Sequence, residues 1–327
     1  MCQPGGPDPR HRRAPGDDGA RTSSPPATID ARCNALGLHD AQEPVNPYTV
    51  CKAAGVACRI LGDENTMQAF TYSRPASVTA AAAAAAAENA KIIAGGQSLL
   101  PSMRLGLAAP EALIDLSAIA ELKGITAAGD TVRIGAMTTH AEVAASAAVR
   151  QAIPALAELA GHIGDRQVRH RGTLGGSVAN NDPAACYPAA VLGLGATVHT
   201  NRRDIAADDF FLGLYTTALA EDELITAVSF PVPARAGWQK CKQPASRFSL
   251  VGVFVSQGPQ GTRVAVTGAG AGGVFRVPAL EAALAADWSA AACLGVTVAA
   301  DNLNTDLHAS AAYRAALIPV LAGRAVG

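Results

Sequence analysis

The chain has 327 residues, about 33 kDa, with 26 basic and 27 acidic side chains and a net charge of −1. That balance removes bulk attraction to nucleic acid or anionic lipid, and no apolar stretch reaches the ~18 residues of a membrane span. Apolar residues make up 49% and charged ones 16%, enough for a sizeable core, while 4% aromatic content leaves that core to Ala, Val, Leu and Ile.

Residues 1–66 differ in kind from the rest. Met1–Pro26 is dense in Pro, Gly, Asp and Arg, and the first aromatic residue is Tyr48. Without sustained periodicity this segment is expected to form little packed structure and to be dispensable, an extension upstream of Met67. Arg12-Arg13 is followed by no apolar segment, so no secretory or twin-arginine signal is supported and a cytoplasmic location is expected. The seven cysteines are odd in number and include no C-x-x-C spacing, which predicts reduced, mostly buried thiols and no metal ligation.

From Met67 the elements follow in order. Phe70-Thr71-Tyr72 alternates like a short strand, Ser77 can cap a helix, and the Ala80–Ala87 run supplies it. Lys91–Ala94 reads as a buried strand entering Gly95-Gly96-Gln97-Ser98. Strands are predicted at Ala112–Leu116 and Thr131–Ala136, and a helix over Ala141–Ala160 interrupted near Pro154. His140 is placed at that helix's start. An apolar helix over Ala184–Leu194 follows Asn180-Asn181-Asp182-Pro183. Strands come next at Ala196–Thr200 and Leu224–Pro231, then Phe248–Ser256 and Thr262–Thr267. Helices at Pro278–Ala286 and Ala309–Leu321 complete the chain, and His308 is expected at the surface. With no long βαβα series, the order predicts an α+β fold of three lobes.

One motif misleads. Gly268-Ala269-Gly270-Ala271-Gly272-Gly273 satisfies G-x-G-x-x-G after a strand. A dinucleotide site needs the helix to begin within that loop, whereas Val274–Val277 intervenes and is strand-like. A strand–turn–strand connection is expected instead.

Two glycine pairs make the better case. Gly95-Gly96 lies in a loop running on through Ser98, Leu99 and Leu100 to Pro101, with backbone amides open to an approaching phosphate. Thr173-Leu174-Gly175-Gly176-Ser177 repeats the pattern with hydroxyls at both ends. Two such loops in one lobe could clamp both sides of a pyrophosphate. Arg166-Gln167-Val168-Arg169-His170-Arg171 leads into the second, as diphosphate-binding cations or as a solvated strand edge. Ser98 has no adjacent His/Asp arrangement, so hydrolase chemistry has no support in the sequence.

Ala94–Pro101 together with Thr173–Pro183 resembles the FAD-binding medium subunits of the molybdenum hydroxylases, the xanthine dehydrogenase and aerobic carbon monoxide dehydrogenase group. The similarity runs from about Met67 to the C-terminus and includes Gln243-Pro244-Ala245-Ser246-Arg247. It implies an FAD-binding domain of the vanillyl-alcohol-oxidase (PCMH) type over 67–237, with subdomains of about 67–121 and 122–237. An α+β domain over 238–327 would follow, resembling the C-terminal domain of the carbon monoxide dehydrogenase flavoprotein.

The resemblance also assigns residues. Ile92, Ile93, Ala94, Gly95, Gly96, Gln97, Ser98 and Leu99 would wrap the FAD pyrophosphate from one side. Thr173, Leu174, Gly175, Gly176 and Ser177 would do so from the other. Ile163 would be a flavin contact, Ile225 in Asp222-Glu223-Leu224-Ile225 would touch the ring system, and Lys240 would lie close to the flavin. Lys242 is two residues away, and on a strand both lysines point the same way. Cys186 stands where many relatives carry Asp, and a thiol is a poor acceptor for cofactor hydroxyls; a buried structural thiol is the simpler reading. Asp182 could compensate as a cofactor contact, or serve as N-cap before Pro183.

The implied function is an electron-transfer flavoprotein subunit. A molybdopterin-binding large subunit and a small subunit with two-iron two-sulfur clusters would be its partners, and NAD or another molecule its acceptor. A self-contained FAD oxidoreductase on the same fold, or a flavin-free docking scaffold, stays open from the residues alone.

Overall fold

The computed structural model describes residues 67–327, so the expectations for residues 1–66 lie outside the described residues. Three larger sheets and one two-stranded hairpin organise this part of the chain.

The first sheet is parallel and small. Strand β1 (Thr71–Ser73) is followed by helix α1 (Val78–Ala85), capped as expected by Ser77, whose Oγ accepts from Ala80 N at 3.2 Å. Alanine makes α1 a good helix whose small side chains let it lie close to β2 (Ala90–Ile93) and β3 (Ala112–Asp115), with Ala81 fully buried. The strand order is β1-β3-β2. Strand β2 is half-buried and exposes Lys91, because this sheet is too small to be covered on both faces. Helix α2 (Leu99–Arg104) lies between β2 and β3.

The second sheet has the order β4-β5-β10-β6-β7 and packs the main core. It begins with β4 (Ile125–Ala128) and β5 (Thr131–Gly135). The predicted helix over 141–160 is three: α3 (His140–Ala145), α4 (Ala147–Ala152) and α5 (Pro154–Gly161). Thr139 and Glu142 form a reciprocal capping box that starts α3 at His140. Ser146 both ends α3 and caps α4, and Pro154 opens α5 where its missing N–H costs nothing. Two short helices, α6 (Arg166–Arg171) and α7 (Leu174–Asn180), precede the apolar α8 (Tyr187–Gly193). Then come β6 (Thr197–Thr200), β7 (Asp204–Ala206) and α9 (Ala207–Phe210). A small hairpin of β8 (Phe211–Gly213) and β9 (Thr216–Thr217) leads to the central strand β10 (Ile225–Pro231).

The third sheet is an antiparallel meander, β11 (Arg235–Lys242), β12 (Ser249–Gly258), β13 (Gly261–Thr267) and β14 (Phe275–Arg276). Strand β11 has no counterpart in the sequence reading. Strand β14 pairs antiparallel with β13 across the Gly268–Gly273 turn, so the strand–turn–strand expectation holds. Helices α10 (Pro278–Ala286), α11 (Ala290–Leu294) and α12 (Ala311–Val326) cover one face. Gly237 is required there, since a Cβ would sit 1.7 Å from Ala325 O of α12. Among the described residues no helix is long and apolar enough to cross a membrane.

Candidate functional site

Strand β2 delivers the chain into Ala94–Ser98, where Gly96 adopts φ +71°, a conformation that favours glycine. The backbone N–H groups of Gly95, Gly96, Gln97 and Ser98 donate to no partner among the described residues. The loop is shorter than predicted. Leu99, Leu100 and Pro101 already belong to α2, whose first turn tolerates proline. Four consecutive unspent amides make a donor set suited to a multiply charged oxyanion.

The second motif is not the second bare loop that the glycines suggested. Thr173 is the N-cap of α7, and its Oγ1 accepts from Gly176 N at 3.2 Å. Leu174 N donates to Thr138 O at 3.0 Å, Gly175 N to Ala136 O at 2.8 Å, and Ser177 N to Thr173 O at 3.1 Å. These amides are already spent. The glycines serve close approach instead: a Cβ at Gly175 would lie 2.5 Å from Ala136 Cβ, and one at Gly176 would lie 3.2 Å from Ala94 Cβ.

That last contact brings the motifs together. Gly95 completes the junction, since its Cβ would lie 2.2 Å from Arg171 O. Behind it, Gly172 leaves room for His140, whose Nε2 would be 2.6 Å from an added Cβ. His140 is 4% exposed, and burial, with the nearby Arg169 charge, lowers its pKa to about 4.

The basic cluster 166–171 forms helix α6, not a strand edge, because Asp165 caps it by accepting from Val168 N at 2.8 Å. Arg169 turns inward and donates to the carbonyls of Ile163 and Gly164, both at 2.9 Å. It fixes the turn before α6.

Lys240 sits at the same turn. Its ammonium donates to His162 O at 2.9 Å, Arg247 O at 2.8 Å and Cys186 Sγ at 3.3 Å. Three sequence-predicted residues, Ile163, Cys186 and Lys240, thus converge from three elements. A register shift falls between Cys241 and Lys242, and Lys242 is exposed while its charge, like that of Lys240, acts on His162. Cys186 is buried, as its simpler reading held, and Ser249 Oγ lies 3.6 Å from its sulfur. Arg247, held at φ +62°, also reaches Gly164 O at 3.3 Å. Arg247 entered the sequence analysis only as the end of the Gln243–Arg247 run, and Ser249 not at all; tertiary contact marks both.

Asp182 does not cap α8. Its Oδ1 accepts from Ala184 N at 2.8 Å, closing a local turn, and the helix starts later, at Tyr187. Asp182, Ser249 and Gln243 share the wall of an open cleft of about 440 Å³. Tyr215, at φ +52°, points its hydroxyl to Asp182 Oδ2 at 3.4 Å. Ile225, 5% exposed, opens β10 within the core. The next residue's carbonyl, Thr226 O, accepts from Ala136 N at 2.9 Å, and Ala136 O in turn receives Gly175 N. Glu223 anchors this strand entry. Its carboxylate accepts from Arg203 and Thr200, and the Arg203 hydrogen bond leads in lowering its pKa to about 2.

Residues 68–233 match the family model described as the FAD binding domain in molybdopterin dehydrogenase. The nicotine 6-hydroxylase medium subunit of Paenarthrobacter nicotinovorans is 37% identical, over 80% of this chain and 97% of that protein. The carbon monoxide dehydrogenase medium chain of Hydrogenophaga pseudoflava is 40% identical over 60% and 71%. A solved structure of that organism's carbon monoxide dehydrogenase, in a form lacking the Mo-pyranopterin moiety, superposes with TM-score 0.71 at 35% identity, covering 80% of this chain and 97% of that one. Quinoline 2-oxidoreductase from Pseudomonas putida 86 gives 0.71 at 29% identity, over 80% and 96%. Two motifs that meet in space, on a fold shared along nearly the whole length of these relatives, are the marks of one family, and the chain belongs to the FAD-binding medium subunits of the molybdenum hydroxylases.

Proposed function

We infer that this FAD-binding subunit passes electrons from iron–sulfur clusters on a small partner subunit to NAD or another acceptor, while substrate is hydroxylated at molybdopterin on a large one. The observation that carries the reading is the run of four unspent amides at Gly95–Ser98, pressed against the second motif through Ala94 and Gly176. Such a nest suits a diphosphate, and the Ser98 hydroxyl adds a donor. Bound FAD supplies redox chemistry that side chains lack, and the protein supplies binding and orientation.

The chain's own residues divide that work. Ile92–Leu99 hold one side of the diphosphate. Thr173–Ser177 brace the loop from the other side, chiefly by packing. Ile163, Ile225 and Lys240 surround the ring end, with Lys240 holding the turn beside Ile163, and Asp182 and Cys186 lie toward the cofactor's hydroxyls. Three free cysteines among the described residues support a reducing, cytoplasmic setting.

The test compares substrate-dependent dye reduction by the purified, FAD-loaded chain alone and after reconstitution with its partner subunits. Turnover only in the reconstituted complex is expected. Equal turnover by the chain alone would overturn the subunit reading and favour a self-contained oxidoreductase.

A further inference from the structure

The five-stranded sheet carries a hydrogen-bonded chain of side chains that the flavin reading leaves unused. Val228 and Phe230 of β10 face the core, while Ser229 between them is half-buried on the opposite face. On that face Asp204 of β7, His199 of β6 and Ser229 stand on three successive strands. Asp204 Oδ1 lies 2.6 Å from His199 Nδ1, and His199 Nε2 lies 2.7 Å from Ser229 Oγ. An ionised carboxylate only accepts, so neutral His199 carries its proton on Nδ1, and Ser229 Oγ–H donates to the Nε2 lone pair. Carboxylate to Nδ1 and Nε2 to hydroxyl is the order of an acyl-transfer triad. The side chains of His199 and Asp204 are 18% and 65% exposed, so the group is open to solvent.

Strand register adds a cation beside Ser229, and an open cleft lies close by on the same sheet. Arg133 of β5 pairs directly with Ser229, which puts the two side chains on one face. Arg133 forms no ion pair among the described residues. A free guanidinium beside the nucleophile can stabilise a developing oxyanion. An adjoining open cleft of about 500 Å³ is lined by Arg133, Ala227, Gly135, Leu122 and Ile125. Arg133 and Ala227, the cross-strand partners of Ser229 and His199, line that cleft, while Ser229 and His199 themselves do not.

We propose that Ser229 is a nucleophile toward short-chain acyl esters, with His199 as its base and Asp204 as the residue that positions His199. Ser229 Oγ bonds to the acyl carbon as its proton passes to His199 Nε2. The bond from that carbon to the alkoxide oxygen then breaks, and the alcohol departs with the proton. Water attacks the acyl-serine, His199 takes and returns a proton, and the carboxylic acid leaves with Ser229 restored. Ester plus water becomes acid plus alcohol, with no change in oxidation state.

The experiment treats the full FAD-loaded chain with a fluorophosphonate, and separately with p-nitrophenyl acetate. A single adduct mapping to Ser229 is expected. Ser229→Ala and His199→Gln should each lower nitrophenolate release by about 100-fold or more, at an unchanged flavin-to-protein ratio. Asp204→Asn should lower it as well, and Asp204→Glu should recover part of the loss. Absence of an adduct on Ser229 of the unmodified chain would overturn the proposal, as would labelling of His199→Gln at the unmodified rate. The first of these outcomes needs no variant to fold.

Discussion

Lys240 and Cys186, 54 positions apart, meet with Lys240 Nζ 3.3 Å from the sulfur. An ammonium group has three donors, and here all three are spent, on the thiol and on the carbonyls of His162 and Arg247. Lys240 is therefore a tether that joins β11 to the end of α5 and to the turn before β12. Lys240→Met should leave two carbonyls without their charged donor and cost about 1–3 kcal/mol. Thermal unfolding of the flavin-free chain is the measurement. A lysine that only touched flavin would leave that unfolding unchanged.

The two glycine motifs should fail in different ways. Gly96→Val meets only the flexible end of Leu100, at 2.9 Å, but forces a branched side chain to φ +71°. It should cost about 1–3 kcal/mol of local strain and lower FAD occupancy while the fold survives. Gly175→Val would drive into Ala136, backbone included. It should destabilise the core itself by about 1–3 kcal/mol or more. Flavin content and unfolding midpoint, measured on both variants, separate the roles. Unfolding of the Gly96 variant, with the Gly175 variant intact, would contradict this division.

His140 makes the fold sensitive to mild acid. Its folded pKa of about 4 lies below the ordinary 6.5, so the unfolded chain binds the proton first. The contribution is present above pH 6.5 and is lost as pH falls toward 4, amounting to about 3 kcal/mol across that window. Chemical denaturation between pH 7 and 4 should show this loss, and His140→Leu should flatten it.

Glu223 adds a second acid limb at lower pH. Its carboxylate is held near pKa 2 against an ordinary 4.5, chiefly by the Arg203 hydrogen bond, with Thr200 and the Ala220 amide assisting. The stabilisation is present above pH 4.5 and disappears as pH falls through about 2. Glu223→Gln should remove this limb and lower stability at neutral pH by about 1–3 kcal/mol. Because Glu223 anchors the start of β10, the same variant should loosen the position of Ile225. Hydrogen exchange at Thr226 and Ala227 is the readout.

Much of the local structure was legible because its causes are local. Ser77 caps a helix as its position predicts, and Pro154 and Pro278 begin helices within a residue of where the pattern put them. Arg235–Lys242 was missed because Arg, Gly, Gln and two Lys mask any period-2 pattern; what makes it a strand is its pairing with β12. The glycine pairs were legible as well, since a Gly-Gly leaving a strand, as at Gly95, or flanked by hydroxyls, as at Gly175, is a property of short windows.

What the chain does with those motifs was decided in three dimensions. Gly95-Gly96 and Gly175-Gly176 look alike in sequence, yet the first pair leaves its amides free while the second spends them on Ala136 and Thr173. Cys186 found its basic neighbour in Lys240, across 54 residues and two sheets' worth of intervening chain. His199, Asp204 and Ser229 were absent from every motif, because strand order β10-β6-β7, and no spacing along the chain, aligns them. Residue type and short-range spacing determined most of the elements, and the family, by themselves, because caps, turns and glycine conformations act over a few residues. Which donors remain free, and which distant side chains meet, depended on sheet register and packing, which only the assembled fold supplies.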